Sequence, residues 1–99
     1  MTYNIEYIST FHADILTIAD YLSEYPKKAG RLFEQVDKAL LDVAHMPRMY
    51  PIYEDNPLFR KIVVLDYLVF YKIDEANHVI EVHRLIYGKM DLKKQLEDN

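Results

Sequence analysis

Ninety-nine residues, 51% hydrophobic and 28% charged, with no Cys and only two Gly, describe one small domain spanning residues 1–99. The missing cysteines exclude a disulfide scaffold, a thiolate zinc site and a cysteine nucleophile. The net charge of −4 argues against wholesale binding of a phosphate backbone.

The start of the chain, Met1 to Glu6, lacks the basic head and apolar run of a secretion signal, and no stretch approaches the length of a membrane span. We therefore expect a cytoplasmic protein with no membrane contact. The charge is uneven. Residues 1–46 hold four basic and seven acidic groups (−3), whereas residues 56–94 hold seven basic and five acidic (+2). A solvated surface accounts for this more simply than an anionic partner near the second half.

Tyr3–Ile8 alternates around Tyr3, Ile5 and Tyr7 and predicts a first strand. Ser9 and Thr10 then stand where an N-cap is needed. Phe11, Ile15, Ile18, Ala19 and Leu22 follow at helical spacing, with Asp14, Thr17 and Asp20 expected on the opposite, wet face. Pro26 suits the first turn of a second helix, which runs to about Ala44 along Ala29, Leu32, Phe33, Val36, Leu40 and Val43. The short link between the helices predicts an antiparallel hairpin.

Three of the four prolines fall in residues 45–57, which reads as a stiff loop. Its Tyr50-Pro51-Ile52-Tyr53 segment either caps an end of the core or forms a partner-binding edge. Three apolar runs follow: Phe59–Leu65, Tyr67–Ile73 and Val79–Tyr87. Asp66 and the polar residues 74–78 break them into a three-stranded antiparallel meander. The runs are apolar at nearly every position, so both faces of the sheet should be covered at least in part. Gly88 ends the last strand, and Lys89–Leu96 is a polar segment compatible with a terminal helical turn or two. The fold class is α+β: an N-terminal strand, a helical hairpin and a meander, joined as one sheet with both helices on one face.

Simple alternation on the last strand would put Glu81, His83, Leu85 and Tyr87 on one face and Arg84 on the other. Arg60, Lys61, His83, Tyr87 and Lys89 then form a candidate set for holding a phosphate and moving protons. The plainer reading pairs Arg60 and Arg84 with carboxylates such as Glu81 or Asp66 and leaves His83 and Tyr87 structural. The four histidines are scattered, so no metal-ligand spacing is present and no metal or other cofactor is expected. No Gly-rich phosphate loop and no Ser-His-acid arrangement stands out.

Three segments carry a family resemblance: Phe59-Arg60-Lys61-Ile62-Val63-Val64, Tyr67-Leu68-Val69-Phe70-Tyr71-Lys72-Ile73-Asp74, and Val82-His83-Arg84-Leu85-Ile86-Tyr87-Gly88-Lys89-Met90-Asp91. With them the chain resembles the RelE/ParE toxins of bacterial type II toxin–antitoxin (plasmid stabilisation) systems, closer to the ParE branch. The resemblance implies a growth-inhibiting toxin neutralised by a cognate antitoxin, alone as a homodimer or in a heterotetramer with the antitoxin. ParE-type members inhibit DNA gyrase; RelE-type members are mRNA interferases that cleave on the ribosome without a metal. On the first reading Arg60, Lys61, Arg84 and Lys89 contact the target. On the second, His83, Tyr87 and Arg60 are catalytic. Ribonuclease members carry basic groups where this chain has Leu68 and Met90, and a neutral side chain cannot offset a phosphate charge. A weakly toxic or inactive relative of the same fold is the third reading.

Overall fold

The computed structural model describes residues 2–89. The elements are β1 (Asn4–Tyr7), α1 (Ser9–Tyr21), α2 (Pro26–His45), β2 (Arg60–Val64), β3 (Tyr67–Asp74) and β4 (Val79–Tyr87). They follow the expected order, and the element ends agree to within a residue or two. The strands form one mixed sheet in the order β1-β4-β3-β2. β2, β3 and β4 are the antiparallel meander, while β1 runs parallel to β4. The expected polar segment after Lys89 lies outside the described residues.

Pro26 opens α2 at its first turn, where a missing N–H costs nothing. Leu32, Val36, Leu40 and Val43 recur at three- and four-residue spacing and are buried. With Phe11, Ile18 and Leu22 they close over Ile62, Val64, Val69, Tyr71, Ile80, Val82 and Leu85 on the sheet. The opposite face carries a smaller cluster of Tyr53, Phe59, Leu68, Phe70 and Ile86. Residues 46–59 cover it. Tyr50 packs on the helical-side core while Tyr53 enters the other cluster, so the proline-rich loop rounds the β2 edge from one face to the other. An isolated bridge between Ile52 and Arg60 fastens it there. Both faces of the sheet are therefore covered, as the continuous apolar runs implied.

The tight turn between β2 and β3 places Leu65 at φ 54. Gly88 donates its N–H to the Asp66 carbonyl at 2.8 Å. A Cβ at position 88 would stand 3.1 Å from that oxygen, which is why a glycine ends β4.

Two local expectations are corrected. Ser9 and Thr10 do not cap α1: the N-cap is Ile8, without a side-chain cap bond. Asp14 does not face water: its carboxylate bonds to β4. Both departures have one cause. β1 ends at Tyr7, opposite Val82, and leaves the remaining edge of β4 without a strand neighbour. The chain takes over that edge in turn as it enters α1. Ile8 N–H donates to the Val82 carbonyl (3.0 Å), the Thr10 hydroxyl donates to the His83 carbonyl (2.7 Å), and Asp14 Oδ2 accepts the Leu85 N–H (2.9 Å). Orphaned backbone groups of a strand edge are thus satisfied by the backbone of the helix N-cap and by helix side chains.

Candidate functional site

The residues singled out from the sequence lie on β2, β4 and the turn after β4. A β-bulge decides how they face. The β3–β4 register shifts between Phe70 and Tyr71, where Phe70 pairs with Arg84 but Tyr71 pairs with Val82. His83 is the extra residue. A bulge inserts one residue and resets the alternation beyond it. Ile80 and Val82 before the bulge, and Leu85 after it, therefore all pack on the helical side. The simple alternation expected for β4 fails here. His83 packs edge-on against Phe59, whose cluster covers the open face, with ring centroids 5.4 Å apart. Tyr87 instead packs against Tyr67 at 5.5 Å and lines the groove beside Leu22 and Leu32. His83 and Tyr87 lie on opposite faces.

Arg84 reaches across the β4 edge to α1. Its Nε and Nη2 donate to Asp14 at 2.7 Å and 3.1 Å, a bidentate pair that is largely buried. The expected carboxylate partner is thus Asp14, not Glu81 or Asp66. The sequence held a signal for it: Asp14 stands three residues after Phe11 and four before Ile18, on the buried stripe of α1.

Arg60 begins β2 on the helical side, opposite Tyr71. Its guanidinium donates to the Tyr50 carbonyl at 2.7 Å. The Tyr71 hydroxyl donates to the Pro47 carbonyl at 2.7 Å. Burial pushes the Tyr71 phenol up to about 12 from its ordinary 10.0, against the opposing pull of Arg60. These two bonds tie the loop to the start of β2 and the middle of β3.

Lys61 faces the other way. Its ammonium lies 5.5 Å from the centre of the Tyr53 ring, and that of Lys72 lies 4.7 Å from the centre of the Phe59 ring. His83 Nε2 lies 3.2 Å from Glu81 Oε1 on this same face. Lys89 is exposed in the turn after Gly88. The open face therefore gathers Lys61, Lys72, Glu81 and His83 at the margin of an aromatic floor. It does not gather Arg60, Arg84 or Tyr87. Lys72 went unselected in the sequence; its even spacing from Phe70 on β3 is what marks it for this face.

The second notable surface is a groove of ≈ 590 Å³ between α1, the start of α2, the start of β3 and the end of β4. Tyr21, Leu22, Leu32, Tyr67 and Tyr87 give it an aromatic, apolar lining, with Lys28 and Arg84 at its border. Burial, then the neighbouring Tyr21, Tyr87 and Asp66, raise the Tyr67 phenol above its ordinary value. Among the described residues no cluster of His, Asp or Glu is arranged to hold a metal ion, and no helix is long and apolar enough to cross a membrane.

One mixed four-stranded sheet, entered by a parallel strand and backed by a helical hairpin, defines the RelE-like fold. A double arginine-to-alanine mutant of Escherichia coli toxin RelE in the free state matches with a TM-score of 0.65 at 19% identity, over 96% of this chain and 93% of that one. The toxin–antitoxin complex RelBE2 from Mycobacterium tuberculosis matches with a TM-score of 0.65 at 16% identity, over 88% of this chain and 99% of its own. Residues 5–92 match the family described as the ParE toxin of type II toxin–antitoxin systems, parDE. The chain belongs to that ParE toxin family. No curated protein matches it.

Proposed function

We propose that this protein inhibits growth by binding a protein target, with DNA gyrase the first candidate, and that a cognate antitoxin neutralises it. Membership of the ParE family supports the toxin and its antitoxin. The observation that carries the protein-target reading is the state of the open sheet face at Leu68. A ribonuclease of this fold needs a cation there to offset the scissile phosphate. Leu68 is instead buried among Tyr53, Phe59, Phe70 and Ile86. An apolar seal cannot neutralise a phosphate, and burying one against it would cost several kcal/mol, about 2–7 for even an uncharged polar group. Arg84 is committed to Asp14, and the three residues named for catalysis are split, with His83 on one face and Arg60 and Tyr87 on the other. Of the cations named for target contact, Lys61 lies over the Tyr53 ring at the margin of the loop-covered face and Lys89 is exposed after Gly88.

Purified gyrase, DNA and the full chain test this. The expected result is accumulation of cleaved DNA–gyrase complexes, relieved by the co-encoded antitoxin. No effect on gyrase removes that target. The rival ribosome-dependent endoribonuclease draws on the His83–Glu81 pair beside Lys61 and Lys72. It requires translation-coupled mRNA cleavage that is lost in His83→Ala and weakened in Lys61→Ala. Induced expression that leaves growth unchanged would favour a non-toxic relative over both.

A further inference from the structure

Three tyrosines meet at one corner of the larger groove. Tyr67 opens β3 and Tyr87 closes β4, directly opposite each other in the antiparallel register. Their ring centroids lie 5.5 Å apart with the planes at 66°, so the rings stand as two inclined walls. Tyr21, the last residue of α1, lines the same groove and is 77% exposed. Asp66, in the turn before β3, completes the lining at this end. Burial raises the Tyr67 phenol most, and Tyr21, Tyr87 and Asp66 add to that rise, so the four polar ends are neighbours. Asp66 is in no ion pair among the described residues.

The cations of the groove are turned to other partners. The Lys28 ammonium lies 5.9 Å from the centre of the Tyr25 ring, and Tyr25 is outside the lining. Arg84 is held by Asp14 in the bidentate pair. The Thr17 hydroxyl donates to the Ala13 carbonyl of its own helix. What faces the corner is therefore a carboxylate and three electron-rich rings. The face of such a ring attracts a cation, the more so as water is excluded. The same surroundings repel an anion.

We propose that this corner binds a small organic cation, an alkylated ammonium group carried on a short apolar body. The alkyl groups are what select it. A bare ammonium holds a tight water shell and needs several oxygens to replace it, whereas one carboxylate stands here. An alkylated ammonium is weakly hydrated and presents its methyl groups to the rings. Leu22 and Leu32, further along the groove, receive the apolar body. The groove's ≈ 590 Å³ is the size of a small-molecule site, roughly 300–1,000 Å³. The corner lies on the helical side of the sheet, away from the loop-covered face read as meeting the target. The proposal therefore stands whether or not gyrase is that target.

Titration of the isotope-labelled, full-length chain with choline chloride, against sodium chloride at equal ionic strength, tests this by amide chemical shifts. The control ligand is the neutral isostere of choline, in which a quaternary carbon replaces the nitrogen. Choline should give saturable shifts confined to the surroundings of Leu22, Tyr67 and Gly88, with a Kd on the order of 1 mM. The neutral isostere should bind at least about tenfold more weakly. Asp66→Asn and Tyr21→Leu should each weaken choline about fivefold, and both side chains are exposed, so the fold is kept. Choline shifts that do not saturate overturn the proposal, as does an affinity that neither variant changes. Equal binding of choline and its isostere also overturns it, and leaves the groove a purely apolar docking surface for a partner helix.

Discussion

Among the described residues, the helical face of the sheet is closed by fourteen buried residues drawn from α1 and its C-cap, α2 and the strands β2, β3 and β4, whereas the other face is closed by five, two of them supplied by the proline-stiffened loop. The helices cover area by periodicity. The loop does so with a few large rings, Tyr53, Phe59 and Phe70, stacked edge to face at 5.1 Å and 6.1 Å. A small aromatic seal leaves its margin open, and that margin is where Lys61, Lys72, Glu81 and His83 collect. On the proposed reading, the face that is cheaper to cover is the one that meets the target.

If both seals are true cores sharing β3, they should fail together. Phe70→Ala should cost about 3–5 kcal/mol and Leu40→Ala about 2–5 kcal/mol in denaturant unfolding. Each should show a single transition by both circular dichroism and tyrosine fluorescence. A cost below about 1 kcal/mol for Phe70→Ala would mean that the loop merely rests on the sheet.

The edge of β4 ranks next. Asp14→Ala removes the bidentate carboxylate from Arg84 and the acceptor from the Leu85 N–H and should cost about 2 kcal/mol. Asp14→Asn, which keeps an acceptor, should cost less. Equal, negligible losses would break the account of α1 as the neighbour of that edge.

Tyr71→Phe removes the hydroxyl bond to Pro47 that pins the loop and should cost about 1 kcal/mol near neutrality. Its pH dependence sharpens the comparison. The folded-state pKa of about 12 lies above the ordinary 10.0, so the neutral phenol's stabilisation is complete below pH 10 and is lost as pH rises toward 12. Alkaline unfolding curves of Tyr71→Phe should therefore fall less steeply over that window than those of the wild type. The burial-raised Tyr7 and Tyr67 retain part of the slope. The smallest effect belongs to Arg48→Ala. Its ion pair with Glu75 is more than half exposed on both sides, and its loss should stay within about 0.5 kcal/mol in the same assay.

Much of this molecule was legible in the sequence. The apolar spacing of α2, the break at Pro26, the alternation of β1 and the polar turns of the meander each follow from local preference. The family signature in β2, β3 and β4 was legible too, and residues 5–92 match the ParE toxins. The candidate site was less so. The alternation rule, which parts neighbours such as Arg60 and Lys61 to opposite faces of β2, failed on β4 at His83, because a bulge is a property of two strands and has no mark in one of them. Asp14 looked like a solvated helix residue until β4 supplied an arginine and an N–H for it.

By itself, then, the sequence determined the element order, the apolar stripe of each helix and the absence of cysteine chemistry, since these rest on residue type and short-range spacing. Only the tertiary structure decided that β1 joins β4 in parallel, that α1 inherits the edge β1 leaves, and that His83 and Tyr87 part to opposite faces. Those outcomes depend on which backbone groups lack a partner once the strands have met. An unpaired N–H or carbonyl exists only after the sheet has formed.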